Sequence, residues 1–90
     1  MNQVNASHIL VKTEEEAKKI MQELKIKSFE QIAREKSLCP SGKNKGSLGW
    51  FGRGQMVREF EDACFNGKKG DVKLVKSEFG WHVVKIVDVK

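Results

Sequence analysis

Val4-Asn5-Ala6-Ser7-His8-Ile9-Leu10-Val11 places apolar or half-apolar residues on both sides of a two-residue repeat. A strand with one wet face would alternate cleanly, so this one is expected to be covered on both faces and central in a sheet. Downstream, Thr13-Glu14-Glu15-Glu16 is a capping box with three acids in the first turn of a helix. Ala17, Ile20, Met21 and Leu24 follow at i, i+3, i+4 and i+7, which makes one buried stripe. Ser28-Phe29-Glu30-Gln31 is a second box, and it opens a shorter helix that buries Phe29, Ile32 and Ala33.

Periodicity fails over residues 38–47, which hold the only proline and two glycines and read as a loop. Leu48-Gly49-Trp50-Phe51 reads as a short strand, closed by the turn Gly52-Arg53-Gly54. A third helix is expected over 55–65, with Met56, Phe60, Ala63 and Cys64 on one face. Gly67 and Gly70 end it, and strands are expected over 72–75 and 81–89 across Ser77-Glu78-Phe79-Gly80. The order β-α-α-β-α-β-β predicts an α+β fold: a four-stranded, mostly antiparallel sheet covered by helices. With no repeat, linker or low-complexity tract, residues 1–90 are expected to form a single domain.

The 90 residues can bury only roughly 60–65% of the surface that the unfolded chain exposes, so a modest core is expected. The composition is that of a soluble globular domain, and no apolar run approaches the roughly 20 residues a membrane span needs. The start, Met1-Asn2-Gln3-Val4-Asn5-Ala6, lacks the basic and apolar segments of a signal peptide, so a cytoplasmic location is expected. Cys39 and Cys64 stand far apart in unlike contexts, which argues against a disulfide framework or a zinc site. The formal charge of +5 favours acidic partners. Most of the 17 cations are dispersed lysines without a recognition motif, so a solvated surface is preferred over a nucleic-acid interface.

Few residues can carry chemistry. His8 shares a strand side with Ala6 and Leu10, and His82 with Val84 and Ile86, so both imidazoles should be at least partly buried. A buried imidazole needs hydrogen-bond partners, and on neighbouring strands each ring could serve the other. Taken alone, the two could equally be structural core histidines. Cys39 sits in a loop rich in backbone donors, where a thiol is more often incidental. Leu48, Phe51, Met56 and Phe60 could line a pocket or simply belong to the core. Ser77 precedes Phe79-Gly80, where a hydroxyl usually bonds local backbone.

Together these segments resemble the parvulin family of peptidyl-prolyl cis/trans isomerases. The likeness is carried by Ser7-His8-Ile9-Leu10-Val11-Lys12, by Gly46-Ser47-Leu48-Gly49-Trp50-Phe51-Gly52-Arg53-Gly54-Gln55-Met56-Val57 and by Ser77-Glu78-Phe79-Gly80-Trp81-His82. Phe60-Glu61-Asp62-Ala63 and the loop around Cys39-Pro40-Ser41-Gly42 strengthen it, and the set spans almost the whole chain in order. The resemblance implies the parvulin (FKBP-like) fold and prolyl isomerisation with no cofactor, no metal and no covalent intermediate. It implies that His8 and His82 are bonded to each other beneath the site, with Cys39 and Ser77 beside them. It further implies that Leu48, Met56 and Phe60 receive the proline ring, with Phe51 and Phe79 at its border.

The implied partners are proline-containing segments of client proteins, met by a monomer away from any membrane; nucleic acid is the less favoured partner. Phosphate-directed parvulins carry an arginine-rich loop after the first strand, whereas here Lys12 runs into three glutamates that would repel a phosphate. Gly67 stands where the family commonly has leucine, and the stretch Gly70-Asp71-Val72-Lys73-Leu74-Val75-Lys76-Ser77 lacks the customary proline. A module on the same fold that binds extended segments without isomerising them is the main competing reading. Retention of the pocket residues argues against it.

Overall fold

Strand β1 (Val4–Val11) is an inner strand of the sheet in the computed structural model, which describes residues 3–90. Met1 and Asn2, part of the stretch read for a leader, lie outside the described residues. Helices α1 (Glu14–Glu23) and α2 (Phe29–Lys36) follow, then a short 3-10 turn at Pro40–Asn44. Strand β2 (Ser47–Phe51), helix α3 (Arg58–Phe65) and strands β3 (Val72–Ser77) and β4 (Gly80–Val89) complete the order. The sheet runs β2-β1-β4-β3 with every neighbouring pair antiparallel, so β1 and β4 are the inner strands.

Alternation along the inner strands sorts the core into two layers. Val4, Ala6, Val84 and Ile86 pack with Phe60, Cys64 and Phe65 of α3 on one face. Ile9, Val11 and Val83 meet Ala17 and Ile20 of α1 and Phe29 and Ile32 of α2 on the other. Both predicted caps form. The Thr13 hydroxyl oxygen accepts the Glu16 amide at 3.2 Å, and that of Ser28 accepts the Gln31 amide at 3.1 Å, each worth about 1 kcal/mol.

Four local readings are corrected. Helix α3 begins at Arg58, not residue 55, because Val57 is extended at φ −60° and ψ 147°. Gln55 turns back instead, its side-chain oxygen accepting the Gly52 amide at 3.0 Å. The 38–47 loop is partly ordered, with the Gly42 amide donating to the Cys39 carbonyl at 2.9 Å. Strand β3 runs on to Ser77, paired with Gly80. At Gly67 an added Cβ would meet Ile86 Cδ1 at 2.2 Å, so Ile86 occupies the room a larger residue would need, and a turn closed by the Asp71 amide on the Lys68 carbonyl at 3.0 Å leads into β3.

The fourth correction lies in β2. Pairing runs Ala6↔Gly49 and then Ser7↔Ser47, leaving Leu48 as the extra residue of a bulge, with Gly49 at φ 71°. Leu48 and Phe51, an odd number of positions apart, therefore both pack on the α3 face.

Gly46 controls the approach of this strand. Its φ is +79°, its carbonyl accepts the His8 amide at 2.9 Å, and an added Cβ would lie 2.7 Å from the His8 carbonyl oxygen. Gly46→Ala is therefore expected to cost about 2–3 kcal/mol, combining positive-φ strain with the clash. Gly49→Ala, which meets nothing within 4 Å, should cost only about 1 kcal/mol. Urea midpoints of the two variants check the order; equal midpoints would contradict it.

Candidate active site

The two histidines come from the two inner strands. His8 pairs with Val84 and His82 with Leu10, so the rings are diagonal neighbours on the α3 face. Their Nδ1 atoms stand 2.9 Å apart, the ring planes differ by 15°, and the residues are 6% and 5% exposed. Ser77, at the end of β3, approaches His82 Nε2 at 2.7 Å through its hydroxyl, which also accepts the Phe79 amide at 3.2 Å. Directing the Ser77 hydroxyl proton to His82 Nε2 gives it an acceptor. His82 then carries its proton on Nδ1 and donates to His8 Nδ1, and His8 holds its own on Nε2.

Phe60 of α3 presses edge-on against both rings, at 5.5 Å from His8 and 5.4 Å from His82. Such burial disfavours the imidazolium. Desolvation, then repulsion from His82, pushes His8 from 6.5 down to about 4, and desolvation lowers His82 as well. The pair is thus neutral at physiological pH. It supplies fixed hydrogen-bond polarity and shape, not a cation.

Above the pair lies a hollow of about 220 Å³ bordered by His8, Cys39, Leu48, Met56, Val57, Phe60, Phe79 and His82. The Cys39 wall is tied to β1 in two ways. The Ser37 hydroxyl accepts the amides of Leu10 and Cys39 at 3.1 and 3.3 Å, and the Leu38 amide donates to the Leu10 carbonyl at 2.8 Å. Phe79 stands at the rim, 61% exposed. Of the residues singled out from sequence, His8, His82, Cys39, Leu48, Met56, Phe60 and Phe79 converge on this hollow, and Ser77 stands one hydrogen bond behind it.

Phe51 does not border the hollow. It is 2% exposed and packed in the core against Phe60 and Phe65, with ring centroids 6.0 and 6.1 Å away. Val57 also borders the hollow, beyond the residues singled out from sequence; extended at φ −60° and ψ 147°, it immediately precedes α3. Both cysteines are free thiols, and burial pushes Cys64, on the buried face of α3 and outside the hollow, up to about 11. Among the described residues no cluster of three or more His, Cys, Asp or Glu is placed to hold a metal.

Residues 1–90 match the PPIC-type PPIASE domain family throughout. The chain belongs to the parvulin family of peptidyl-prolyl cis/trans isomerases. This parvulin domain is 50% identical to foldase protein PrsA 1 of Bacillus cereus, over 98% of its own length and 32% of that protein. It is 47% identical to the putative peptidyl-prolyl cis-trans isomerase Cbf2 of Campylobacter jejuni, over 90% and 33% of the two chains. The domain thus spans about a third of these curated relatives. Among solved structures, PrsA from Bacillus anthracis superposes with a TM-score of 0.95 at 39% identity, over 99% of this chain and 42% of that one. The parvulin of Nitrosopumilus maritimus superposes at 0.86 with 43% identity, over 97% of each chain.

The histidine pair gives the parvulin domain a defined acid sensitivity. An unfolded imidazole takes up its proton near 6.5, whereas folded His8 does so at about 4, so between these values the unfolded chain binds more protons. The resulting stabilisation is complete above 6.5 and is lost as pH falls toward 4, a change of about 3 kcal/mol. Ring resonances of His8 followed by NMR should shift only as pH approaches 4, while urea midpoints fall from pH 6.5 downward. A His8 midpoint near 6.5 would contradict the buried neutral pair.

Proposed function

We propose that this domain accelerates X-Pro rotation in flexible client segments by seating the prolyl ring among Leu48, Met56 and Phe60 and favouring the twisted amide. The hollow set against the buried histidine pair is the observation that carries this reading. The barrier to rotation, about 18–20 kcal/mol, is the resonance energy lost when the amide leaves planarity. Five decades of acceleration require about 7 kcal/mol, and no bond need be made or broken. The site must hold the twisted amide better than either planar form.

The bordering side chains divide this work. Leu48, Met56 and Phe60 anchor the ring, Phe79 shields it at the rim, and the preceding carbonyl swings. Cys39 is a hydrogen-bonding neighbour of that carbonyl, not a nucleophile, since rotation about the X-Pro bond needs no bond to be made or broken. His8, His82 and Ser77 hold the polarity of the floor through their shared hydrogen bonds. Val11 leads directly toward the three glutamates, and its carbonyl packs against Gly80 beside Phe79. Segments without phosphate before the proline are therefore the proposed clients. The proposed working form is a monomer, and two free thiols favour a reducing compartment, hence the cytoplasm.

Exchange NMR on a set of X-Pro peptides tests the reading. Wild type should speed cis/trans exchange. Met56→Ala should lower kcat/KM by about tenfold or more, the value of burying one apolar side chain. Phe60→Ala should do the same while also unfolding more easily, by about 3–5 kcal/mol. Unchanged exchange rates with wild-type protein would overturn the proposal.

A further inference from the structure

The turn at residues 52–57 carries Met56 and Val57 to the hollow, yet its own bonds fix only its internal shape. The Gly52 amide bonds within the turn to the Gln55 side chain. Gly54, at φ +90°, has no side chain to anchor it, and Val57 offers α3 no side-chain cap. Carboxylates of α3 tie the turn to the helix, chief among them one that is largely covered. Glu61, in the first turn of α3, accepts the Gly54 amide on one oxygen in a short contact. Its other oxygen lies 3.3 Å from Arg53 Nη1.

The Glu61 side chain is only 13% exposed, against 58% for Arg53, so the acid is the covered, organising member of the pair. Arg53 lies over the Phe65 ring at 4.5 Å and reaches Asp62 at 3.9 Å, which closes the turn onto the helix. The position also suits an anion, since the first turn of a helix presents unpaired amides and a positive dipole end. Phe60, the residue just before Glu61, packs on both histidines. A fastening at Glu61 therefore sets the distance between the two walls of the hollow, turn on one side and helix on the other.

We propose that Glu61 is a positioning residue for the isomerase, its carboxylate holding Met56 and Val57 opposite Phe60 in a hollow formed before substrate arrives. The proposal rests on the isomerase reading above. A turn released from Glu61 samples open arrangements, and only the fraction of molecules with both walls in place binds the peptide. Apparent affinity falls by that fraction, while rotation of the bound amide is unaffected.

Glu61→Ala and Glu61→Gln, compared with wild type on one X-Pro peptide by exchange NMR, test this. Glu61→Ala should raise KM about tenfold with kcat within about twofold of wild type, and the Gly54 amide should lose its protection from hydrogen exchange. Glu61→Gln keeps an oxygen for the Gly54 amide, so it should recover most of the affinity, with KM raised only about two- to fourfold. Should Glu61→Ala fail to fold, the rise in KM of Glu61→Gln decides alone, and no rise overturns the proposal. An inactive wild type would sink the isomerase reading itself. With an active wild type, a folded Glu61→Ala of unaltered KM, or a loss confined to kcat, would overturn the role of Glu61 and leave that reading standing.

Discussion

Two imidazoles buried between a sheet and an aromatic ring are costly unless their nitrogens find partners, and here they find each other. The Nδ1–Nδ1 contact at 2.9 Å spans the two inner strands, with Ser77 holding the far nitrogen of His82 and Phe60 closing the open face. Leaving a buried polar group unsatisfied would cost about 1–3 kcal/mol. The contact therefore constrains the register of β1 against β4. It also requires that β3 end at Ser77 and that α3 present Phe60 at that level of the sheet.

The rest of the architecture follows from that constraint. An inner position for β1 demands cover on both faces, supplied by α3 on the histidine side and by α1 and α2 on the other. The glycine-marked segments serve as joints around the hollow. Gly46 lets β2 close against β1, and Gly80 lets the β3–β4 turn sit on the Val11 carbonyl, where a Cβ would lie 2.5 Å from the oxygen. A bulge at Leu48 brings one more apolar side chain to the site without lengthening the strand. The hollow is thus bounded by pieces of β1, β2, β4, α3 and three connecting segments.

Much of this was legible in the chain itself. The double-sided apolar run of residues 4–11 reveals an inner strand, and the boxes at Thr13 and Ser28 mark helix starts, because both signals are local and strong. Strand alternation alone puts His8 and His82 on apolar sides. Their partnership was a conditional inference, since adjacency of β1 and β4 is a property of topology and not of either segment. Phe51 is placed at the border of the hollow by resemblance and does not reach it, while Val57 is not singled out at all. A bulge changes which side chains share a face, and α3 starts only at Arg58, after an extended Val57. Neither leaves a firm mark in the sequence, because Gly49 also fits an ordinary strand glycine and Gln55-Met56-Val57 is compatible with a helix.

The central claim is that a prolyl ring enters the hollow above the neutral histidine pair. Intermolecular NOEs between an isotope-labelled chain and a saturating X-Pro peptide address it most directly. The account predicts contacts from the proline ring protons to the Met56 methyl group and the Phe60 ring. Contacts confined instead to the face built from α1 and α2, with none at Met56 or Phe60, would contradict it.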